Sequence, residues 1–181
     1  MSTYFHGLLA SPSCNSCPLR YHVKVMPDGP VPAAIAIVGE GPGQAEEETG
    51  RGFVGPSGQM LWYLAERSTG GAFTRDQCWV SNAAICRPRP IRLTSGVLLP
   101  EQLVKAMSAQ ACRERLLREL LIVQPKVIVP VGNFALWALT DVPKMSIFDY
   151  RGGRLIAHLE EVLAAVINGT ARAPIRQVQE K

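Results

Sequence analysis

Residues 33–43, AAIAIVGEGPG, decide the fold. Six small or branched apolar residues without a polar break make a strand covered on both faces, and the change to glycine ends it abruptly. The form recurs at 126–131 (KVIVPV), and Trp79-Val80 before Ser81-Asn82 is a third, shorter case. Helical patterns lie between them. Residues 59–67 have helical composition, and 101–123 place Leu103, Met107, Leu117, Leu120 and Leu121 largely on one face at three- and four-residue spacings. Strands alternating with helices specify an α/β fold with a parallel sheet, helices on both faces, and a ligand site outside the carboxyl ends of the strands. The loops at 39–58 and 82–100 follow those ends.

The 181 residues contain no internal repeat and no Pro/Gly-rich linker, so a single domain over 1–181 is expected. Hydrophobic residues make up 47% and charged residues 19%, and no apolar run approaches the roughly 18 residues of a membrane span. The first residues, MSTYFHGLLASPSC, lack a basic region followed by an apolar one, so a soluble cytoplasmic protein with no membrane contact is expected. In a reducing compartment five cysteines suit metal binding better than disulfides. The 19 Lys and Arg against 15 Asp and Glu leave a net charge of +4, compatible with a polyanionic partner but shared by many proteins without one.

The loop at 39–58 is not a nucleotide loop. A dinucleotide fingerprint needs GxGxxG opening directly into a helix, and a phosphate-binding P-loop ends in Gly-Lys-Ser/Thr. Here Pro42 lacks an amide donor, and Glu46-Glu47-Glu48 would repel phosphates. Instead GEGPGQAEEETGRGFVGPSGQML, followed in order by SNAAICRP, QACRERL, QPKVIVPVG and FDYRGG, resembles the iron–sulfur, family-4 branch of the uracil-DNA glycosylase superfamily, with Gly52 where that family has proline. The resemblance implies a three-layer α/β/α fold around a central, mostly parallel, four-stranded sheet. It also implies an enzyme that flips uracil out of DNA and hydrolyses its N-glycosidic bond in base excision repair.

That chemistry needs particular residue types. A base inside a duplex must be extruded, held against an aromatic ring and read along its pairing edge. By the resemblance, Phe53 stacks on uracil, Asn82 pairs with its O4 and N3 edge, and backbone around Gly41 binds O2. An asparagine amide carries both donor and acceptor, which suits uracil and opposes cytosine. Bond cleavage leaves positive charge on the sugar, so the carboxylates of Glu40 and Glu46 are candidate catalytic groups, to stabilise that cation or to orient water. Taken singly, Phe53 also reads as a core residue, Asn82 as a turn residue, and 46–48 as a solvated acidic run.

Cys14-Asn15-Ser16-Cys17 is a two-residue-spaced pair able to converge on one metal centre. The resemblance adds Cys86 and Cys112 and implies a four-iron four-sulfur (4Fe-4S) cluster bound by segments 14–17 and 86–112; the cysteines alone suit zinc equally well. IRLTSGVLLPEQLVKAMSAQ, between Cys86 and Cys112, reads as an expanded connection, and Cys78 as a buried packing residue. Arg87, Arg89 and Arg92, in a proline-stiffened loop, are candidates for DNA phosphate contacts or, more simply, for a solvated loop.

The family also carries a His-Pro motif toward its carboxyl terminus whose histidine donates to uracil O2. No His-Pro pair occurs in these 181 residues. Among His6, His22 and His158 only His158 stands near the expected position, within an apolar stripe at 155–167 that reads as a helix ending at Asn168-Gly169. His158 is therefore the candidate donor. The alternative is a weak or silent glycosylase fold that binds DNA or a replication or repair protein. A monomer is expected, with a mobile tail from about residue 168.

Overall fold

The computed structural model describes residues 12–140, 146–149, 155–156, 159–169 and 176–177. After a 3-10 turn at Pro12–Ser16, the central elements run β1 (Ile35–Gly39), α1 (Gln44–Thr49), α2 (Pro56–Ser68), β2 (Cys78–Asn82), β3 (Ile91–Arg92), β4 (Leu98–Leu99), α3 (Glu101–Val123), β5 (Val127–Val131) and α4 (Asn133–Thr140). Strands β2, β1 and β5 form a parallel sheet in that order, with β1 in the middle. Gly39 is in register with Asn82 on one side and with Val131 on the other, so all three strands end level. Pro130 costs the sheet little, because β5 is the outer strand of this sheet.

Alternation along β1 splits the core into two layers. Ala36 and Val38 face Ala109, Leu116, Leu120 and Val123 of α3 and Ala135, Ala138 and Leu139 of α4, with Trp79 among them. Ile37, Cys78 and Val80 face the other way, toward Leu61 and Trp62 of α2 and toward Phe53 and Phe73. Helices thus cover both faces, giving the α/β/α architecture read from the sequence. Cys78 is fully buried, as a packing residue should be.

Several details differ from expectation. The central sheet has three described strands rather than four. Within the expanded connection β3 and β4 form a short antiparallel ladder, and α3 starts directly after it. On α3, Leu117 and Leu120 are fully buried, whereas Leu103 and Met107 are exposed. The buried face includes Ser108, Arg113, Arg115 and Glu119, polar and charged residues that an apolar pattern does not register. The stripe at 155–167 is not one helix. Leu155–Ile156 forms β6, paired antiparallel with β7 (Arg176–Gln177), and α5 (Leu159–Asn168) begins after it with Glu160 and Glu161 at its positive amino end. Residues 176–177 therefore sit in a ladder instead of a free tail. His158 lies outside the described residues. α5 packs Val162 against Leu117 of α3.

Candidate active site and cysteine cavity

The level strand ends form a platform, and glycine at its centre lets two side chains converge there. A Cβ on Gly39 would collide with the Asn82 amide oxygen and stand 2.8 Å from the tip of the Phe53 ring. Asn82 is 4% exposed, yet its side-chain amide has no hydrogen-bond partner among the described residues. The amide nitrogen and oxygen are not among the buried unpartnered atoms, so they open to solvent at the strand ends, free to meet a ligand. Its backbone is fixed from two directions: the Arg115 guanidinium donates to the Asn82 carbonyl at 2.7 Å, and the next amide, Ala83 N–H, donates to the Gly39 carbonyl at 2.7 Å.

Phe53 is held in a left-handed conformation, with φ of 58°. Such a backbone costs a non-glycine residue about 1–3 kcal/mol and persists where surroundings impose it. The Trp62 indole N–H donates to the Phe53 carbonyl at 3.0 Å, and the two rings meet edge to face at 6.2 Å between centroids. Gly58 at the start of α2 allows the Phe53 backbone to lie directly on the helix, where any side chain would clash.

Glu46 is buried and fully engaged. One carboxylate oxygen accepts from Val54 N–H at 3.0 Å and Gly55 N–H at 2.7 Å, the other from Gly43 N–H at 3.0 Å. It clasps the two ends of the loop that carries Phe53. Glu40 is different: it accepts from the Phe134 amide at 3.2 Å, at the amino end of α4, lies 3.8 Å from the Lys105 ammonium, and keeps 28% of its side chain exposed. Gly41 packs against the Pro88 ring. The acidic run is thus divided: Glu46 is buried, Glu47 pairs with Arg87 at 3.3 Å and Arg89 at 3.7 Å, and only Glu48 is a solvated residue.

Arg89 also meets the His22 ring at 2.9 Å. Burial, then the Arg89 charge, lowers the His22 pKa below its usual value. Arg92 is exposed and donates to the Gly96 carbonyl within the β3–β4 turn. Behind the loop, Arg75 holds the Gly52 carbonyl at 3.0 Å and Asp28 at 2.9 Å, and Arg51 joins the same carboxylate at 3.1 Å. Burial pushes the Asp28 pKa up, but the bonds from Arg75 and Arg51 outweigh it and hold the carboxyl below the ordinary range.

Cys14, Cys17, Cys86 and Cys112 line one small cavity, partly open to solvent, together with Arg20, Lys24, Ser108 and Arg115. Three chain segments meet there. The amino-terminal one is stitched to the loop after β2 by Val25 N–H donating to the Ile85 carbonyl at 2.8 Å and by a bridge between Lys24 and Cys86. Burial pushes the Cys86 thiol up to about 12, with nearby Cys112 adding to it, and burial likewise raises Cys17 against the Leu19 amide that donates to its sulfur. Buried thiols of this kind stay protonated until a cation displaces the protons. Among the described residues no group of three or more His, Cys, Asp or Glu could hold a single metal ion.

A parallel sheet whose strand ends bring the Asn82 amide beside the Phe53 ring, with four cysteines lining a cavity, defines an α/β protein with a candidate site at the carboxyl ends of its strands. The family model of the Uracil DNA glycosylase superfamily matches residues 26–172, and the chain belongs to that superfamily. It is 36% identical over 141 residues to the type-4 uracil-DNA glycosylase of Thermotoga maritima, covering 77% of this chain and 67% of that protein. It is 30% identical over 132 residues to the type-4 uracil-DNA glycosylase of Pyrobaculum aerophilum, covering 72% and 61%. To that of Sulfurisphaera tokodaii it is 34% identical over 123 residues, covering 67% and 50%. The chain thus spans between half and two-thirds of the length of these relatives.

The sequence reading missed Trp62, which seats Phe53, Lys105 beside Glu40, and the buried Arg115–Glu119 pair. Arg115 stands within QACRERL, a stretch quoted for the resemblance in which only Cys112 was given a role. Its three-residue distance from Cys112 places it one helical turn away on the same face, a signal that was available.

Proposed function

We propose that this chain is a uracil-DNA glycosylase of DNA repair that receives a flipped-out uracil at the ends of β1 and β2 and hydrolyses its bond to deoxyribose. The observation that carries the reading is the convergence of the Asn82 side-chain amide and the strained Phe53 ring over Gly39 at the strand ends. Phe53 stacks on the base, and the Asn82 amide accepts from uracil N3–H and donates to O4, the reverse of what cytosine offers. Glu40, partly exposed and anchored at the start of α4, is the carboxylate positioned to face the sugar or to orient water, while Glu46 shapes the loop. Backbone about Gly41 meets uracil O2. Arg87, Arg89 and Arg92 face DNA phosphates, Arg87 and Arg89 exchanging Glu47 for them.

The four cysteines hold a 4Fe-4S cluster in this reading. A zinc ion needs four sulfurs about 2.3 Å from one point. Four cysteines lining one pocket, with the cations Arg20, Lys24 and Arg115 in the same lining, suit an anionic thiolate-bound cluster. When bound, the cluster supplies a cross-link between the amino-terminal segment, the loop after β2, and α3.

The test is uracil release from a single-stranded oligonucleotide with one uracil, abasic sites being revealed by alkali. Release by wild type and its loss in Asn82→Ala support the reading; no release above a protein-free control overturns it. The lack of a His-Pro pair favours one second reading, a glycosylase fold that binds DNA or a repair protein without cleaving. That reading requires salt-dependent DNA binding without product. His158 remains a candidate donor to uracil O2, tested by His158→Ala in the same assay.

A further inference from the structure

Arg115 is among the largest fully buried side chains, and it touches both ends of the molecule's chemistry. One terminal nitrogen donates to Glu119 at 2.6 Å and to the Ser81 hydroxyl at 3.4 Å; the other donates to the carbonyls of Asn82 at 2.7 Å and Ala83 at 3.4 Å. The same residue lines the cysteine cavity, one helical turn from Cys112. Its remaining nitrogen, Nε, is buried without an acceptor, and the second oxygen of Glu119 is buried without a donor. With Arg20 and Lys24 in the same lining, the guanidinium gives the cavity a positive wall, which suits an anionic occupant. An ammonium in its place could not make two parallel sets of bonds, because only the guanidinium fork holds them in fixed geometry.

The carbonyl of Asn82 lies just where β2 ends. From there on, the strand backbone is held by Arg115 on its acceptor side and by the β1 loop on its donor side. The carbonyl and the side-chain amide belong to one residue, so fixing the carbonyl helps to fix where the amide stands beside Phe53. We propose that Arg115 is a positioning residue that couples the cysteine cavity to Asn82, so that the group held by the four thiols sets how sharply uracil is told from cytosine. This rests on the glycosylase reading above, since it assigns base reading to Asn82 and a cluster to the cysteines.

The experiment uses binding rather than turnover. Iron-loaded wild type and the double variant Arg115→Met/Glu119→Met are titrated by fluorescence anisotropy with single-stranded oligonucleotides carrying one 2′-fluoro-2′-deoxyuridine or one 2′-fluoro-2′-deoxycytidine. The fluorine suppresses cleavage. Replacing both members of a buried ion pair with apolar residues of similar size is commonly tolerated, so the double variant is expected to fold and retain iron. Expected is a uracil-over-cytosine ratio lowered roughly tenfold, the effect of one well-placed hydrogen bond. Stripping iron with a chelator lowers the ratio in wild type and leaves the double variant unchanged. Arg115→Lys, which keeps the charge, recovers part of the ratio and is the variant to read if the double one does not fold.

A double variant that holds iron and discriminates like wild type overturns the inference alone. So does iron removal that lowers the ratio equally in both folded proteins. If stripping unfolds wild type, the comparison between iron-loaded proteins decides. A wild type that binds both oligonucleotides alike, or holds no iron, overturns the underlying reading and this inference with it.

Discussion

Replacing Glu46 separates a residue that shapes the loop from one that performs chemistry. Its carboxylate accepts three backbone amides, from Gly43, Val54 and Gly55, at 2.7–3.0 Å, and it is 8% exposed. Hydrogen bonds to a charged acceptor contribute about 1.5–3 kcal/mol each. The loop is near enough to the surface for water to reach some of the freed amides, so the lower end applies. Glu46→Ala then costs roughly 3–5 kcal/mol, and Glu46→Gln, which keeps one oxygen but sets its NH₂ against the Gly43 N–H, roughly 1.5–3 kcal/mol. At about 2–4 °C per kcal/mol for a domain of this size, Tm falls by roughly 6–20 °C for alanine and 3–12 °C for glutamine. The assay is thermal unfolding followed by circular dichroism, beside uracil release measured well below both transitions. Loop damage should weaken binding of uracil-containing DNA along with release. A Glu46→Gln protein that melts with wild type, binds DNA normally and yet releases no uracil would refute the clasp and make Glu46 a catalytic group.

Three further outcomes follow from the geometry. Gly39→Ala forces a methyl group between the Asn82 amide and the Phe53 ring, costing about 1–3 kcal/mol of stability and abolishing selective uracil binding; unchanged binding in the anisotropy titration would contradict the placement of both side chains. Asp28 has a folded-state pKa below its unfolded value, so its stabilisation is present at neutral pH and lost as pH falls through the folded pKa, below about 3.9. The melting difference between wild type and Asp28→Asn should accordingly be present at pH 7 and vanish under strong acid; a constant difference across that range counts against the pairing with Arg75 and Arg51. Cys86→Ser should lose bound iron and visible absorbance and melt earlier than wild type, and full iron content in that variant would remove Cys86 from the cluster ligands.

The sheet was legible because buried parallel strands leave continuous apolar runs, and 33–38 and 126–131 have them. The bounds of α3 were legible too: the helical pattern read at 101–123 coincides with the observed helix. Which face of α3 is buried was not legible. Arg113, Arg115 and Glu119 count as polar in any periodicity, but tertiary partners from β2 and α4 bury all three: Ser81 and the Asn82 carbonyl take Arg115, and the Ala138 carbonyl takes Arg113. The division of labour between Glu40 and Glu46 was likewise hidden, because it depends on where Val54 and Gly55 return to after the loop, a distance set by folding and not by spacing. For 155–167, an apolar stripe fits a short ladder followed by a helix as well as one longer helix, and only pairing with 176–177 decides between them.

The most direct test of the account is release of free uracil by the iron-containing protein from a single-stranded oligonucleotide bearing one uracil, run beside Asn82→Ala and Phe53→Ala. Release by wild type, with each variant reduced on the order of a hundredfold or more, is the predicted result. Release that persists undiminished in Asn82→Ala would contradict it, because the base would then be read somewhere other than the ends of β1 and β2.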